Sequence, residues 1–208
     1  MILNNFVVFE GIDGSGTSTQ MRLLAERGKA GGKKLFFTAE PTEGPTGKFL
    51  RQILAGKEKV APQTAAYLFA ADRAEHIWGA GGIVDQTKNG WTVVSDRYLF
   101  SSLAYQGVSC GEDLPKTLNS PFFLPQLLFF FDISPKISLE RVEKRGEAKE
   151  IYENESYLND TASRYRAVID QYKKQANSGM RIVELDASLP KEKISDLIWN
   201  EILPILKA

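Results

Sequence analysis

Residues 9–20 carry the sequence FEGIDGSGTSTQ, and this stretch decides the fold. The apolar run Phe6–Phe9 that leads into it predicts a buried strand, and Met21, Leu23 and Leu24 beyond it recur at helical spacing. A glycine-rich turn between a strand and a helix is the context in which backbone N–H groups bind phosphate, helped by the positive end of the helix dipole. The stretch therefore predicts a phosphate-binding loop.

One position of this loop departs from the phosphate-loop consensus, which is G-x-x-x-x-G-K-[ST]. The spacing from Gly11 to Ser18 is kept, but Thr17 stands where the consensus has lysine. That lysine normally brings a point charge to the phosphates, and threonine has no charge to bring. Ser18 or Thr19 offers a hydroxyl to a phosphate-bound Mg²⁺. The alternative is a glycine-rich turn that binds no ligand.

Length, charge and cysteine content exclude several classes of protein. The 208 residues fit one domain, residues 1–208, although two small domains would also fit. The 26 basic and 26 acidic side chains cancel, so neither nucleic acid nor an anionic membrane is expected as a partner. Cys110 is the single cysteine, which favours a reducing, cytoplasmic location. No apolar segment approaches the roughly 18 residues of a membrane span, and we expect no signal peptide before the first strand.

Five short apolar segments alternate with segments of helical periodicity, which predicts a parallel α/β sheet covered by helices on both faces. The predicted strands cover residues 6–9, 34–38, 91–95, 127–131 and 181–185. The predicted helices cover 18–31, 47–54, a region from 62 that glycines at 79–82 bend or split, 99–107, 137–144, 156–176 and 191–206, with 107–125 irregular. Ligands of such sheets bind at the carboxyl ends of the strands.

Polar residues stand at those ends. Arg97 follows the third strand and can bind a phosphate through two N–H groups, or it can form a structural pair with a carboxylate. Asp13 lies inside the glycine-rich loop, where its charge would repel phosphate, and an ordinary turn-forming aspartate is the alternative.

Seven motifs in order give the chain a resemblance to thymidylate kinases, the nucleoside monophosphate kinases that phosphorylate dTMP. They are FEGIDGSG-x-STQ (9–20), EPT-x-GP-x-GK-x-x-R (40–51), LFAADR (68–73), SDRY-x-x-SS-x-AYQG (95–107), RGE (145–147), YEN (152–154) and LDAS (185–188). The resemblance implies a three-layer α/β sandwich of the P-loop NTPase type with the five strands in the order 2-3-1-4-5. It also implies ATP and dTMP as substrates, Mg²⁺, a homodimer, and a mobile lid near residues 145–155.

The resemblance implies roles for residues that face the phosphate acceptor. Arg97 and Arg51 would bind the monophosphate, and Asp13 would contact the sugar 3′-hydroxyl. Phe69 and Arg73, four residues apart and so on one helical face, would stack on thymine and bond its O4; a plain core position is the alternative for Phe69. The segment that closes over sugar and base would include Ser101, Ser102, Tyr105 and Gln106.

Other roles concern the donor and the reaction. The catalytic residues implied are Asp13, Asp96 and Arg97, with Ser18 and Asp96 as the metal site. The loop Asp186-Ala187-Ser188 would lie beside the donor adenine and Arg145 would pack on it, although a charged loop is commonly only solvated. The donor phosphates would be held by the loop residues Gly11, Ile12, Asp13, Gly14, Ser15, Gly16, Thr17, Ser18 and Thr19.

Three departures from the family pattern fall on the chemistry. Thr17 replaces the loop lysine, and Ala39 stands where an arginine commonly precedes Glu40-Pro41. Ile151 stands where some members have a lid arginine, and other members carry an arginine in the loop at the position of Gly14. The substitutes that the sequence offers are Lys48, Arg141, Arg145 and Lys149.

The main hypothesis is a kinase that makes dTDP from dTMP with ATP and Mg²⁺. One alternative is an impaired homologue that binds nucleotide without efficient phosphoryl transfer, because the residues facing the acceptor base match the family better than those facing the transferred phosphate. Another is a kinase of a different nucleoside monophosphate.

Overall fold

The structure, a computed structural model, describes residues 1–145, 155–175 and 179–206, with the side chain of Arg145 outside the description. Within these residues five parallel strands form one sheet in the order β2-β3-β1-β4-β5. The strands are β1 (Ile2–Glu10), β2 (Leu35–Ala39), β3 (Thr92–Asp96), β4 (Leu124–Asp132) and β5 (Arg181–Asp186). The parallel sheet and the implied strand order are both confirmed.

Nine α-helices and a final 3₁₀ turn, Leu203–Ile205, are seen in the described residues. The helices are α1 (Thr17–Ala30), α2 (Pro45–Leu54), α3 (Pro62–Trp78), α4 (Ile83–Lys88), α5 (Leu99–Cys110), α6 (Asp113–Asn119), α7 (Pro135–Arg145), α8 (Glu155–Lys174) and α9 (Lys191–Ile202). None of them combines the length and the apolar character needed to cross a bilayer.

The centre of the sheet is the centre of the core. Phe6, Val7, Val8 and Phe9 of β1 and residues 127–129 of β4 are completely buried. A strand can be buried at every position only when both faces of the sheet are covered, so the continuous apolar runs that predicted these strands follow from the layered architecture. The predicted three-layer α/β fold is confirmed.

Two predicted segments differ from the structure. The stretch 107–125, predicted to be irregular, contains α6 and the last turn of α5. Pro115 lowers the helix propensity of this segment, so the sequence pattern does not predict a helix there. Helix α6 forms because it packs against α3 and α5. The helix predicted over 191–206 ends at Ile202, since Pro204 cannot supply the backbone N–H that a regular helix needs.

Candidate active site

The loop between β1 and α1 turns tightly at two glycines. Gly14 and Gly16 have φ angles of 80° and 97°, a left-handed region that other residues rarely adopt. A Cβ at Gly14 would lie 2.6 Å from the carbonyl oxygen of Ser138, because α7 packs directly on the loop. The Ser138 hydroxyl also donates a hydrogen bond to the carbonyl of Asp13. An arginine at position 14, which some members carry, would not fit this arrangement.

A small opening of about 100 Å³ lies between the loop and the end of β3. Here the Ser18 hydroxyl donates to Asp96 Oδ2 at 2.9 Å, while Asp96 Oδ1 is buried and has no partner among the described residues. Mg²⁺ is bound in proteins by one or two oxygen ligands together with substrate phosphates. The hydroxyl and the unpartnered carboxylate oxygen are ligands of that kind, so these two predicted residues fit a magnesium ion.

A larger cavity of about 180 Å³ adjoins the loop, and we call it the α3–α5 cavity after two of the helices that line it. It is lined by all nine residues that the resemblance assigns to the acceptor: Asp13, Arg51, Phe69, Arg73, Arg97, Ser101, Ser102, Tyr105 and Gln106. These residues are spread over 94 positions of the sequence, and the loops at the strand ends and three helices, α2, α3 and α5, bring them to one place.

Arg97 and Asp13 form an ion pair at the inner end of this cavity. Arg97 Nη2 lies 2.5 Å from Asp13 Oδ1, and Nη1 donates to the carbonyl of Gly11 and to Ser101 Oγ at 3.0 and 3.1 Å. The other oxygen of Asp13 accepts from the Tyr105 hydroxyl at 2.9 Å. Burial, and then the Asp13 charge, raise the pKa of the Tyr105 phenol, so it remains a donor. Arg97 thus forms the structural carboxylate pair that was one alternative for it. It also lines a cavity, and phosphate binding there stays a prediction.

Arg51 and Arg73 lie elsewhere on the cavity wall. Arg51, at the end of α2, donates to the carbonyl of Pro41 at 2.5 Å and to Glu43 at 2.9 Å, with its side chain 45% exposed. Arg73 is fully buried, and its charge is balanced by Glu40 at 2.6 Å. The cavity wall therefore includes one buried arginine and one partly solvated arginine.

Glu10 lies directly behind the site, and no role was predicted for it from the sequence. Its carboxylate is completely buried and accepts from Tyr98 N at 2.8 Å, Ser101 Oγ at 2.7 Å and the Tyr165 hydroxyl at 2.9 Å. Burial raises its pKa to about 7, although the hydrogen bonds and the charge of Arg97 act in the opposite direction. The contacts tie β1, the start of α5 and α8 together behind Arg97.

This shifted pKa predicts a pH-dependent stability. An acid whose pKa is raised on folding stabilises the folded state below its unfolded pKa of 4.5 and loses that contribution as the pH rises through about 7. In wild type this contribution changes the free energy of unfolding by about 3 kcal/mol over the whole titration, and the variant Glu10→Gln should lack that change. Denaturant titrations at pH 5 and pH 8 measure it, with exposed Glu58→Gln as the control. Parallel pH profiles for wild type and Glu10→Gln would contradict the expectation.

A second recess, the β5–α9 groove, lies on the other side of the loop and measures about 440 Å³. Arg141 of α7 spans its mouth, with Nη2 donating to the carbonyl of Ala187 at 2.9 Å and Nη1 to that of Gly14 at 3.4 Å. Lys144 and Lys191 also line the groove. Asp186 itself is occupied in closing a turn, since Oδ1 accepts from the backbone N–H and hydroxyl of Ser188.

Comparisons with known proteins identify the family. The family model described as thymidylate kinase matches residues 9–198. A Treponema pallidum protein named "Putative thymidylate kinase" is 40% identical over 201 residues, which are 97% of this chain and 96% of that protein. A Leptospira interrogans protein named "Thymidylate kinase" is 38% identical over 170 residues, 79% of this chain and 81% of that protein.

The chain belongs to the thymidylate kinase family. A Methanocaldococcus jannaschii protein named "Probable thymidylate kinase" is 35% identical over all 208 residues and 98% of its own length. The resemblance drawn from the seven motifs is therefore confirmed.

Two of the three departures from the family pattern fall on described residues. Thr17 lines the opening at the first position of α1, and Ala39 is exposed at the end of β2, paired in register with Asp96. The expected lid at 145–155 falls mainly on residues 146–154, outside the described residues, as do Ile151 and Lys149. The predicted contact of the Arg145 side chain with the donor is likewise outside the description. Lys48 is exposed on α2.

Proposed function

We propose that this member of the thymidylate kinase family transfers the γ-phosphoryl group of ATP to dTMP, giving ADP and dTDP. The observation that supports the proposal best is the α3–α5 cavity, which brings all nine predicted acceptor residues together beside the phosphate loop. In the reaction an oxygen of the dTMP phosphate attacks the γ-phosphorus, and the bond from that phosphorus to the β–γ bridging oxygen breaks.

On the acceptor side, Phe69 and Arg73 would meet the thymine base, and Asp13 would meet the sugar 3′-hydroxyl. Arg97 would turn from the Asp13 carboxylate to the acceptor phosphate, since both are oxygen acceptors for the same guanidinium. Arg51 is 45% exposed and has room to move to the same phosphate. The remaining wall, Ser101, Tyr105 and Gln106, would exclude water from the sugar and base.

On the donor side, the backbone N–H groups from Gly11 to Thr19 would bind the ATP phosphates, with adenine in the β5–α9 groove beside Asp186. Ser18 and Asp96 would hold Mg²⁺, which supplies charge neutralisation on the donor phosphates when bound. Asp96 would thereby gain a partner for its buried, unpartnered oxygen.

Because Thr17 stands in place of the loop lysine, the proposal requires another cation at the donor phosphates, and we assign that role to Arg141. Its guanidinium already lies on the loop, 3.4 Å from the carbonyl of Gly14, and is held in place by Ala187. Arginine binds phosphate oxygens through several N–H groups, so it can replace a lysine from a different direction.

Two other functions follow from specific observations. Two neutral side chains, Thr17 at the loop opening and Ala39 beside Asp96 in the sheet, favour a homologue that binds dTMP without transferring phosphate efficiently. A different nucleoside monophosphate as acceptor is the second alternative, because a cavity of about 180 Å³ with one buried arginine would also admit other pyrimidines.

Two titrations and a turnover assay test these functions. Binding of dTMP and of ATP·Mg²⁺ to the purified chain is measured calorimetrically, and dTDP is then assayed with both present. Binding of both with dTDP formed is the expected result. Binding of dTMP without dTDP supports the impaired homologue, and tighter binding of dUMP or dCMP supports a different acceptor.

We also propose a homodimer in the cytoplasm. The exposed side of α3 carries Tyr67, Ala71 and Trp78, at positions that share one helical face. Aromatic side chains are enriched at protein interfaces, so Tyr67 and Trp78 on this face suit packing against a second copy. Light scattering should give twice the chain mass of 23.2 kDa, and a mass of one chain at micromolar concentration would contradict the dimer.

A further inference from the structure

Arg73 donates hydrogen bonds to two neutral side chains in addition to the carboxylate that balances its charge. Its guanidinium carries five N–H donors. Nη2 donates to Glu40 at 2.6 Å and to Ser102 at 3.2 Å, and Nη1 donates to Asn119 Oδ1 at 2.5 Å. Glu40 already balances the positive charge, so the neutral partner Asn119 contributes chiefly direction. Nε is buried and has no partner among the described residues.

Asn119 is suited to fixing a direction because both ends of its amide are engaged. It is the last residue of α6 and is 7% exposed. Its Nδ2 donates to the carbonyl of Pro115 at 2.8 Å, so Oδ1 must face Arg73. The opposite amide orientation would set an NH₂ group against a guanidinium, which has only donors.

Glu40 is fixed from its other side. Its Oε1 lies 3.0 Å from His76 Nδ1, and His76 Nε2 lies 2.7 Å from Thr38 Oγ1. Arg73 is therefore held between a carboxylate anchored on β2 and α3 and an amide anchored on α6. The rings of Tyr98 and Phe122 lie 5.4 and 5.7 Å from the guanidinium carbon.

We propose that Asn119 is a positioning residue that sets the base selectivity of the acceptor site through Arg73. Arg73 lines the α3–α5 cavity, so by holding Nη1 Asn119 fixes the orientation in which the guanidinium donors meet a base bound there. Donors there favour a base with a carbonyl oxygen at the contact and disfavour a base with an amino group, because two donors cannot pair. The inference rests on the proposed function: thymine O4 is the carbonyl oxygen that Arg73 would favour, and the cytosine amino group is the donor that it would disfavour.

Calorimetric binding of dTMP and dCMP to matched variants tests this inference. Asn119→Leu removes the acceptor for Arg73, and the preference for dTMP over dCMP should fall by about tenfold or more. Asn119→Asp keeps an acceptor for Arg73 but replaces the amide donor to Pro115, and it should retain the preference. Asn119→Ala is a second variant without the acceptor that adds no bulk to α6, should Asn119→Leu fail to fold.

The control is Asn159→Leu, since Asn159 makes the same bond to a carbonyl four residues earlier but is exposed on α8. It should leave the preference unchanged. A merely structural role would make Asn119→Asp and Asn119→Leu lose the preference equally, and that result would overturn the inference, as would an unchanged ratio in the variants without the acceptor. A wild type that binds neither nucleotide would contradict the proposed function and the inference with it.

Discussion

Replacing Arg97 with methionine is expected to lower kcat/KM for dTMP by about 10³-fold or more, since an arginine at a transferring phosphate contributes on that scale. The side chain is held at the cavity end by Gly11, Ser101 and Asp13, which is where the acceptor phosphate must approach the loop. Steady-state kinetics with dTMP varied at saturating ATP measure the loss.

The conservative variant Arg97→Lys separates charge from geometry. Lysine keeps the charge but cannot donate two parallel hydrogen bonds, so its kcat/KM should lie between those of wild type and Arg97→Met. The control is Arg166→Met, because Arg166 of α8 forms an exposed pair with Asp132 at the end of β4 and is not among the residues that line the cavity. A loss below tenfold in Arg97→Met would show that Arg97 serves only to hold Asp13.

The fold could be predicted because its strands carry strong local signals. Residues 6–9 and 127–131 are uninterrupted apolar runs of strand length, which are typical of strands buried on both faces. Helix α6 carries no comparable signal. It spans seven residues with a proline inside, and it is stable only through contacts with α3 and α5, which no local pattern encodes.

The site was only partly predictable for a related reason. Arg97 and the loop glycines stand at strand ends, where sequence position alone indicates ligand binding. Glu10 is an acidic residue at the end of an apolar run, and nothing local says that it is buried. Its partners Ser101 and Tyr165 lie 91 and 155 positions away, and Asn119 meets Arg73 across 46 positions. The roles assigned to Phe69 and Arg73 came from the family resemblance, since helical spacing alone also describes core residues.

The second large expected effect concerns Arg141, to which we assign the role of the missing loop lysine. Arg141→Gln is expected to lower kcat/KM for ATP by about 10²-fold, the value of one lost charge-assisted contact. If Arg141 supplies the charge that Thr17 does not, Thr17→Lys should restore most of the activity of Arg141→Gln, and the two substitutions should not be additive. Lys144→Gln is the matched control, because Lys144 lines the same groove but is exposed.

Binding measurements make this expectation independent of turnover. Arg141→Gln should weaken ATP·Mg²⁺ binding while changing AMP binding little, because a charge acting on the β- and γ-phosphates has no counterpart in AMP. Equal losses for ATP and AMP would instead place Arg141 at the adenine. A greater loss in Lys144→Gln than in Arg141→Gln would move the role to Lys144. Failure of Thr17→Lys to restore any activity would mean that Arg141 acts on the donor in a way that a loop lysine cannot reproduce.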